Sequence, residues 1–221
     1  MPGLKIARSR FGFLFAFATI GFAVPVTAGA EEKVRVACVG DSITWGAGVK
    51  NRAENCYPKV LGNLLGEKYE VKNFGKSGYT LLKKGDRPYW PTIKAVDAFK
   101  PDVVIIKLGS NDSKPQNWKH REEFDDDLAA MVGHFKELPT RPEVWVCLPA
   151  AVVKSNFGIT DEVVRQQLPI IREVAKAQDV TVIDTYTPFV NRKDLMVGDG
   201  VHPNAAGAKV LAETVHMALA P

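Results

Sequence analysis

Three side-chain types that together can cleave an ester stand at two distant places in the chain: Ser42 within Gly40-Asp41-Ser42, and Asp199 and His202 within Asp199-Gly-Val-His202-Pro203. A serine hydroxyl is a poor nucleophile at neutral pH. It needs an imidazole to take its proton and a carboxylate to hold that imidazole in the useful tautomer. Asp199 and His202 are three residues apart, close enough for one turn to join them. Acyl transfer also builds negative charge on the carbonyl oxygen, which calls for fixed donors such as a glycine N–H or an Asn amide. Gly75, in Asn73-Phe-Gly75-Lys-Ser77-Gly78, and Asn111, in Gly109-Ser110-Asn111-Asp112, are the candidates, with the Ser42 N–H beside them.

Each of these fragments follows a stretch that reads as a strand. Short apolar or alternating runs occur at Val34–Val39, Tyr69–Phe74, Val103–Leu108, Val144–Leu148 and Val180–Ile183, and segments of helical spacing separate them. Such alternation predicts a parallel sheet covered on both faces. Tyr57, Val60, Leu61, Leu64 and Leu65 share one helical face, and Phe124, Leu128, Met131, Val132 and Phe135 another. Trp90–Phe99 is a shorter helix, and Asp161–Gln178 a longer one in which Pro169 should cause a kink or a restart. A last helix, Ala205–Leu219, follows Asn204 as its cap. The expected architecture is α/β: a flavodoxin-like three-layer α/β/α sandwich on a parallel five-stranded sheet. Ligands of such sheets bind beyond the carboxyl ends of the strands, which is where the four fragments fall.

Four blocks in this order resemble the GDSL or SGNH hydrolases, a family named for the Ser, Gly, Asn and His of its motifs. The resemblance runs from Val34 to the C-terminal helix, with Ile43 at the position of the usual Leu. It implies Ser42 as nucleophile, His202 and Asp199 as its base and acid, and Ser42, Gly75 and Asn111 as the oxyanion hole. Asn73–Gly78, Arg87–Trp90 and Leu108–Pro115 look most like exported bacterial members that deacetylate carbohydrates, including sialate-type O-acetylesterases. The function so implied is hydrolysis of small-molecule or glycan acetyl esters, with no cofactor. A lipolytic esterase or thioesterase for longer acyl chains, and a non-catalytic carbohydrate-binding relative, are the alternatives.

Other chemistries find little support. There is no G-x-S-x-G elbow, no G-x-x-x-x-G-K-[ST] loop and no H-E-x-x-H pair, and Gly46-Ala-Gly48 lacks the third glycine of a dinucleotide loop. No cysteine–histidine spacing calls for zinc. His120 and His134 have no partner acid in suggestive register, His216 lies in the last helix, and Asp112 reads as a tie for the Asn111 turn. Trp45, Tyr79, Tyr89, Trp90 and Trp118 fall near the expected crevice loops, where aromatics more often pack than carry ligands, though they are also in keeping with a site that stacks on sugars. The loops Lys83–Arg87, Ser113–Asn117 and Lys154–Asn156 should border Ser42 and are polar rather than greasy.

The first residues read as a secretory leader: Lys5, Arg8 and Arg10, an uncharged run Phe11–Val24, then Ala28-Gly29-Ala30. The run is shorter than the roughly 20 residues of a membrane-spanning helix. Cleavage near Ala30 would export residues 31–221 as one hydrolase domain, periplasmic or extracellular, with no stable membrane insertion. Removing three basic and no acidic residues takes the formal charge from +4 to +1. The remaining Lys and Arg are scattered, which excludes a nucleic-acid surface. Three cysteines are an odd set for an exported protein. Cys38 and Cys147 fall in strand runs and should be buried, whereas Cys56, in a polar stretch, is the one expected to be exposed.

Overall fold

The computed structural model describes residues 32–219; the leader and the cut near Ala30 lie outside them. Five strands, β1 (Val34–Gly40), β2 (Tyr69–Gly75), β3 (Val103–Lys107), β4 (Glu143–Cys147) and β5 (Thr181–Ile183), form one parallel sheet in the order β2-β1-β3-β4-β5. Eight helices accompany them: α1 (Ser42–Trp45), α2 (Arg52–Asn55), α3 (Tyr57–Leu65), α4 (Lys94–Phe99), α5 (Pro115–Trp118), α6 (Phe124–Lys136), α7 (Asp161–Ala177) and α8 (Ala205–Leu219).

The two faces of the sheet follow from the two-residue period of a strand. In β1, Val36 and Cys38 join Ile105, Tyr57, Leu61, Leu211 and Val215 in one core layer, under α3 and α8. Their neighbours Ala37 and Val39 join Val104, Ile106, Phe124, Leu128, Phe135 and Ile171 in the other, under α6 and α7. Both sides of β1 are therefore dry, and its sequence is a continuous apolar run rather than an alternation.

From β1 the chain crosses to β2 at one edge, then returns past β1 to place β3 on its other side. Successive crossovers leave in opposite directions, so the carboxyl ends of β1 and β3 part to form a crevice. Gly40, at the end of β1, is in register with Gly75 of β2 and Lys107 of β3. The functional loops thus leave the sheet at one level.

Two expectations are corrected by packing. Of the two outcomes expected at Pro169, a restart does not occur: α7 is one helix from Asp161 to Ala177. The proline ring removes the donor for the Arg165 carbonyl, but both residues are exposed, so water can take that bond. Cys56 is buried (5% exposed), at the junction of α2 and α3, where its sulfur faces the Asn73 amide at 3.6 Å. All three cysteines are buried thiols; burial pushes Cys147 up to about 12 and Cys38 higher still, so neither is a ready nucleophile.

Candidate active site

Ser42 is the first residue of a single helical turn, and the turn's shape is set by side chains on either side of it. The Asp41 carboxylate accepts the Ile43 N–H (2.9 Å) as an N-cap. Gly46, with φ 93°, ends the turn. Beneath α1 the two glycines in register form a floor that tolerates no side chain. A methyl on Gly40 would overlap Thr44 Oγ1, and one on Gly75 would overlap the Trp45 backbone nitrogen. Asn73 staples this arrangement together, donating to the Thr44 carbonyl (2.8 Å) and accepting the Gly75 N–H (2.9 Å).

The other end of the chain meets this turn directly. Ser42 Oγ lies 2.8 Å from His202 Nε2, across 160 positions of sequence. His202 Nδ1 lies 2.8 Å from Asp199 Oδ2, while Asp199 Oδ1 accepts the backbone N–H groups of Val201 (2.8 Å) and His202 (2.9 Å). Burial alone would raise the Asp199 carboxyl, but the bonds from the His202 N–H, the imidazole and the Val201 N–H outweigh it, and its pKa lies below the ordinary carboxylate value. An ionised Asp199 fixes the proton on Nδ1, which leaves Nε2 free to accept from the serine.

Around the hydroxyl is a cavity of about 230 Å³, lined by Ser42, Ala47, Ser77, Gly78, Asn111, Lys114, Phe157, Ile159 and His202. A larger one of about 350 Å³ adjoins the Asp199–Gly200 turn and is lined by Lys154, Lys193 and Met196 among others, without Ser42 or His202. Asn111 enters the smaller cavity from the turn after β3. Its amide donates to the Tyr79 carbonyl (3.1 Å), which occupies one of its two hydrogens and aims the group. Asn117 holds the Asn111 carbonyl (2.8 Å), and Gln167 holds that of Gly109 (3.0 Å).

Gly75 does not reach the cavity, which corrects its expected role as an oxyanion donor. Its N–H is spent on Asn73 and its Cα is buried under α1. The glycine that borders the cavity is Gly78, three residues on, at φ 85°. Among the described residues its N–H makes no hydrogen bond to the protein, nor does that of Ser42, which as a first helical residue has no intrahelical acceptor. A carbonyl oxygen between Ser42 N–H, Gly78 N–H and Asn111 Nδ2 would be met by three donors of the kind acyl transfer requires.

Asp112 does tie down the Asn111 turn. Its two oxygens accept the Leu82 N–H (2.8 Å) and the Leu81 N–H (3.1 Å), and full burial raises its pKa to about 7 against these bonds. Because the folded value is raised, the stabilisation is fully present below the ordinary carboxylate range and is lost as pH rises through about 7. Asp112→Asn keeps one acceptor and turns an N–H toward a backbone donor, at a cost of about 1–3 kcal/mol independent of pH. The wild type's advantage over Asp112→Asn should therefore shrink by about 2–3 kcal/mol between pH 5 and pH 8. Urea unfolding of the two proteins at both pH values checks this; a constant gap would contradict it.

Several residues of the site carry no signal in a linear reading. Lys107 reads as the polar end of a strand, yet it is 1% exposed and its ammonium has no hydrogen-bond partner among the described residues. Burial lowers its pKa, offset in part by the nearby charge of Asp41, whose second oxygen is likewise unpartnered. Phe157 was hidden in a loop read as polar. It is 56% exposed, lies at φ 55° followed by Gly158 at φ 78°, and its ring centroid is 5.7 Å from that of His202, the two rings steeply inclined. None of the five aromatics expected near the crevice lines the cavity: Tyr89 and Trp118 are buried in the core, and Trp45 lies under the Arg52 guanidinium at 3.9 Å. Of the three polar loops expected to border Ser42, only Ser113–Asn117 contributes, through Lys114. Lys83 and Lys84 pair instead with Asp127 (3.0 Å) and Glu123 (2.6 Å), and Lys154 lines the larger cavity.

A parallel sheet in this order, with a Ser–His–Asp chain of hydrogen bonds beyond the β1 and β3 ends, defines a hydrolase-type α/β architecture. Residues 38–210 match the model of the GDSL-like lipase/acylhydrolase family, and the chain belongs to that family. It is 41% identical over 209 residues to an acetylxylan esterase of Xylanibacter ruminicola, a match covering 86% of this chain and 44% of that protein. The chain thus spans less than half the length of that relative. Among solved structures it is similar to an acetyl xylan esterase, AlAXEase (TM-score 0.67, 25% identity, covering 85% of this chain and 100% of that one). A carbohydrate acetylesterase family member from Sinorhizobium meliloti shares the fold (TM-score 0.67, 21% identity, 84% and 96% covered).

Proposed function

We propose that this chain is a serine esterase that removes O-acetyl groups from carbohydrates, exported by its leader. The observation that carries the reading is the unbroken relay from Ser42 Oγ to His202 to Asp199, both links 2.8 Å, opening into the small cavity. Ser42 Oγ attacks the ester carbonyl as its proton passes to His202 Nε2. The oxyanion is held by Asn111 Nδ2 and by the N–H groups of Ser42 and Gly78. Collapse expels the alcohol, which takes the proton from Nε2, and leaves an acetyl-Ser42. Water, deprotonated by His202, then attacks the acetyl group and releases acetate.

An acetyl group needs no apolar groove beyond the cavity, whereas a long acyl chain needs one. Ala47, Phe157 and Ile159 are the cavity's apolar members; the rest are Ser, Gly, Asn, Lys and His. Each buried CH₂ of an acyl chain gains about 0.8 kcal/mol only where an apolar groove continues to receive it. The resemblance to an acetylxylan esterase points the same way. The test compares kcat/KM for p-nitrophenyl acetate, butyrate and octanoate, followed by acetate release from acetylated oligosaccharides. Activity should fall with chain length, and a rise toward octanoate would favour a lipolytic enzyme instead.

Asn111→Ala should lower kcat by about 10²–10³ with little change in KM, since a donor to the oxyanion acts mainly in the transition state. Steady-state kinetics on p-nitrophenyl acetate decide it; an unchanged kcat would move the donor role elsewhere.

A further inference from the structure

The alcohol side of the ester has to lie next to His202, because Nε2 delivers the proton to the departing oxygen. On that side the structure offers one feature that the hydrolytic machinery does not use. Phe157 borders the cavity with its ring centroid 5.7 Å from that of the imidazole, at an interplanar angle of 61°, and it is 56% exposed. An aromatic ring held in water beside a reacting group, on a backbone in the left-handed region, is costly for folding and asks for a reason elsewhere.

The loop that carries it is built in from both banks of the crevice. The Val153 N–H donates to the Gly200 carbonyl (3.0 Å) and the Asn156 amide to that of Asp199 (3.4 Å), which ties the loop to the turn of the acid. Asn156 Oδ1 accepts the Phe157 N–H (2.8 Å). On the other bank, Gly158 packs so closely on Pro115 that an added methyl would stand 3.3 Å from its Cδ, beside Lys114. Phe157 is therefore positioned by the same two turns that carry Asp199 and Asn111. Lys114 lines the same cavity, and among the described residues it makes no ion pair.

We propose that Phe157 is the platform of a leaving-group subsite that takes a pyranose ring, the C–H face of the sugar lying on the aromatic face while Lys114 donates to its hydroxyls. A sugar suits this pair because one side of the ring presents C–H bonds of slight positive character to the negative π-face, and its rim presents acceptors. The inference rests on the carbohydrate reading above and deepens it: Phe157 sets the preference for the alcohol, not for the acyl group.

The test uses the mature protein, wild type and the variants Phe157→Ala and Phe157→Trp, with acetate release measured from acetylated xylo-oligosaccharides and from ethyl acetate, whose leaving group has no ring to stack. In Phe157→Ala the ratio of the two kcat/KM values should fall about 10-fold, carried mostly by a higher KM for the oligosaccharide, and Phe157→Trp should hold the ratio within about 3-fold of wild type. An equal loss on both esters would overturn the proposal, because a ring that merely steadied His202 would affect every substrate alike. A ratio unchanged in Phe157→Ala would overturn it too, while leaving deacetylation of the oligosaccharide intact. If the wild type cleaves ethyl acetate and releases nothing from the oligosaccharides, the carbohydrate reading falls and takes the platform with it.

Discussion

Ser42→Ala should lose ester hydrolysis by on the order of 10⁴–10⁶ in kcat while folding as the wild type does. The loss follows from geometry: Ser42 Oγ is the oxygen that faces His202 Nε2, at 2.8 Å, inside the cavity. The intact fold follows from how α1 is held. Its cap is the Asp41 carboxylate, its staple is Asn73, and its own Ile43 and Thr44 are buried in the core. None of these bonds uses the serine hydroxyl. A partly buried Ser to Ala change of this kind alters stability by about 0.5 kcal/mol or less. A fluorophosphonate should label the wild type at this position and leave the variant unlabelled. Substantial hydrolysis by folded, purified Ser42→Ala would remove Ser42 from the reaction.

Asp199→Asn should lower kcat by about 10⁴. The single carbonyl oxygen of the Asn would stay with the Val201 and His202 N–H groups, which need an acceptor, and so its amide would face Nδ1. An amide donor there forces Nδ1 to accept and moves the ring proton to Nε2. The imidazole would then donate toward Ser42 where it should take a proton. Stability changes with the opposite pH sense to Asp112. The Asp199 carboxyl is depressed, so its contribution is present above the ordinary carboxylate range and is lost as pH falls through the depressed value. The wild-type advantage in thermal unfolding should therefore close in acid and be full at neutral pH. Activity within tenfold of wild type, or a gap that widens in acid, would count against this role for Asp199.

The arrangement of α1 explains why the candidate site forms at this place in the sheet. Parallel strands end together because their registers are shared, Gly40 with Gly75 and with Lys107. The nucleophile turn can sit on that edge only where two adjacent strand ends lack side chains. Below it, Lys107 and Asp41 are both buried, each with an atom that has no hydrogen-bond partner among the described residues.

What the sequence determines by itself is whatever depends on near neighbours. The alternation of apolar runs with helical spacing reads as five parallel strands, since a strand buried on both faces must be apolar throughout, as Val36 to Val39 are. Asp199 and His202 are legible as a pair because three residues of one turn suffice to join them. Cys38 and Cys147 are legible as buried because they lie within such strands. The tertiary structure decides whatever depends on which partner arrives from elsewhere. Gly75 and Gly78 look alike in sequence, and only the arrival of Asn73 and α1 spends one N–H and leaves the other at the cavity. Cys56 sits in a polar stretch, and packing between α2, α3 and Asn73 buries it. Pro169 would break a helix with a buried carbonyl and is harmless where Arg165 faces water. Ser42 and His202 meet across 160 positions because the long segment after β5, which two strands separate from β1 in the sheet, returns to the β1 end, and Phe157 stands in water because the turns on both banks hold its loop there. Backbone preference and period act over a few residues, whereas the occupancy of a donor or the exposure of a ring is set by groups that only the folded sheet brings within reach.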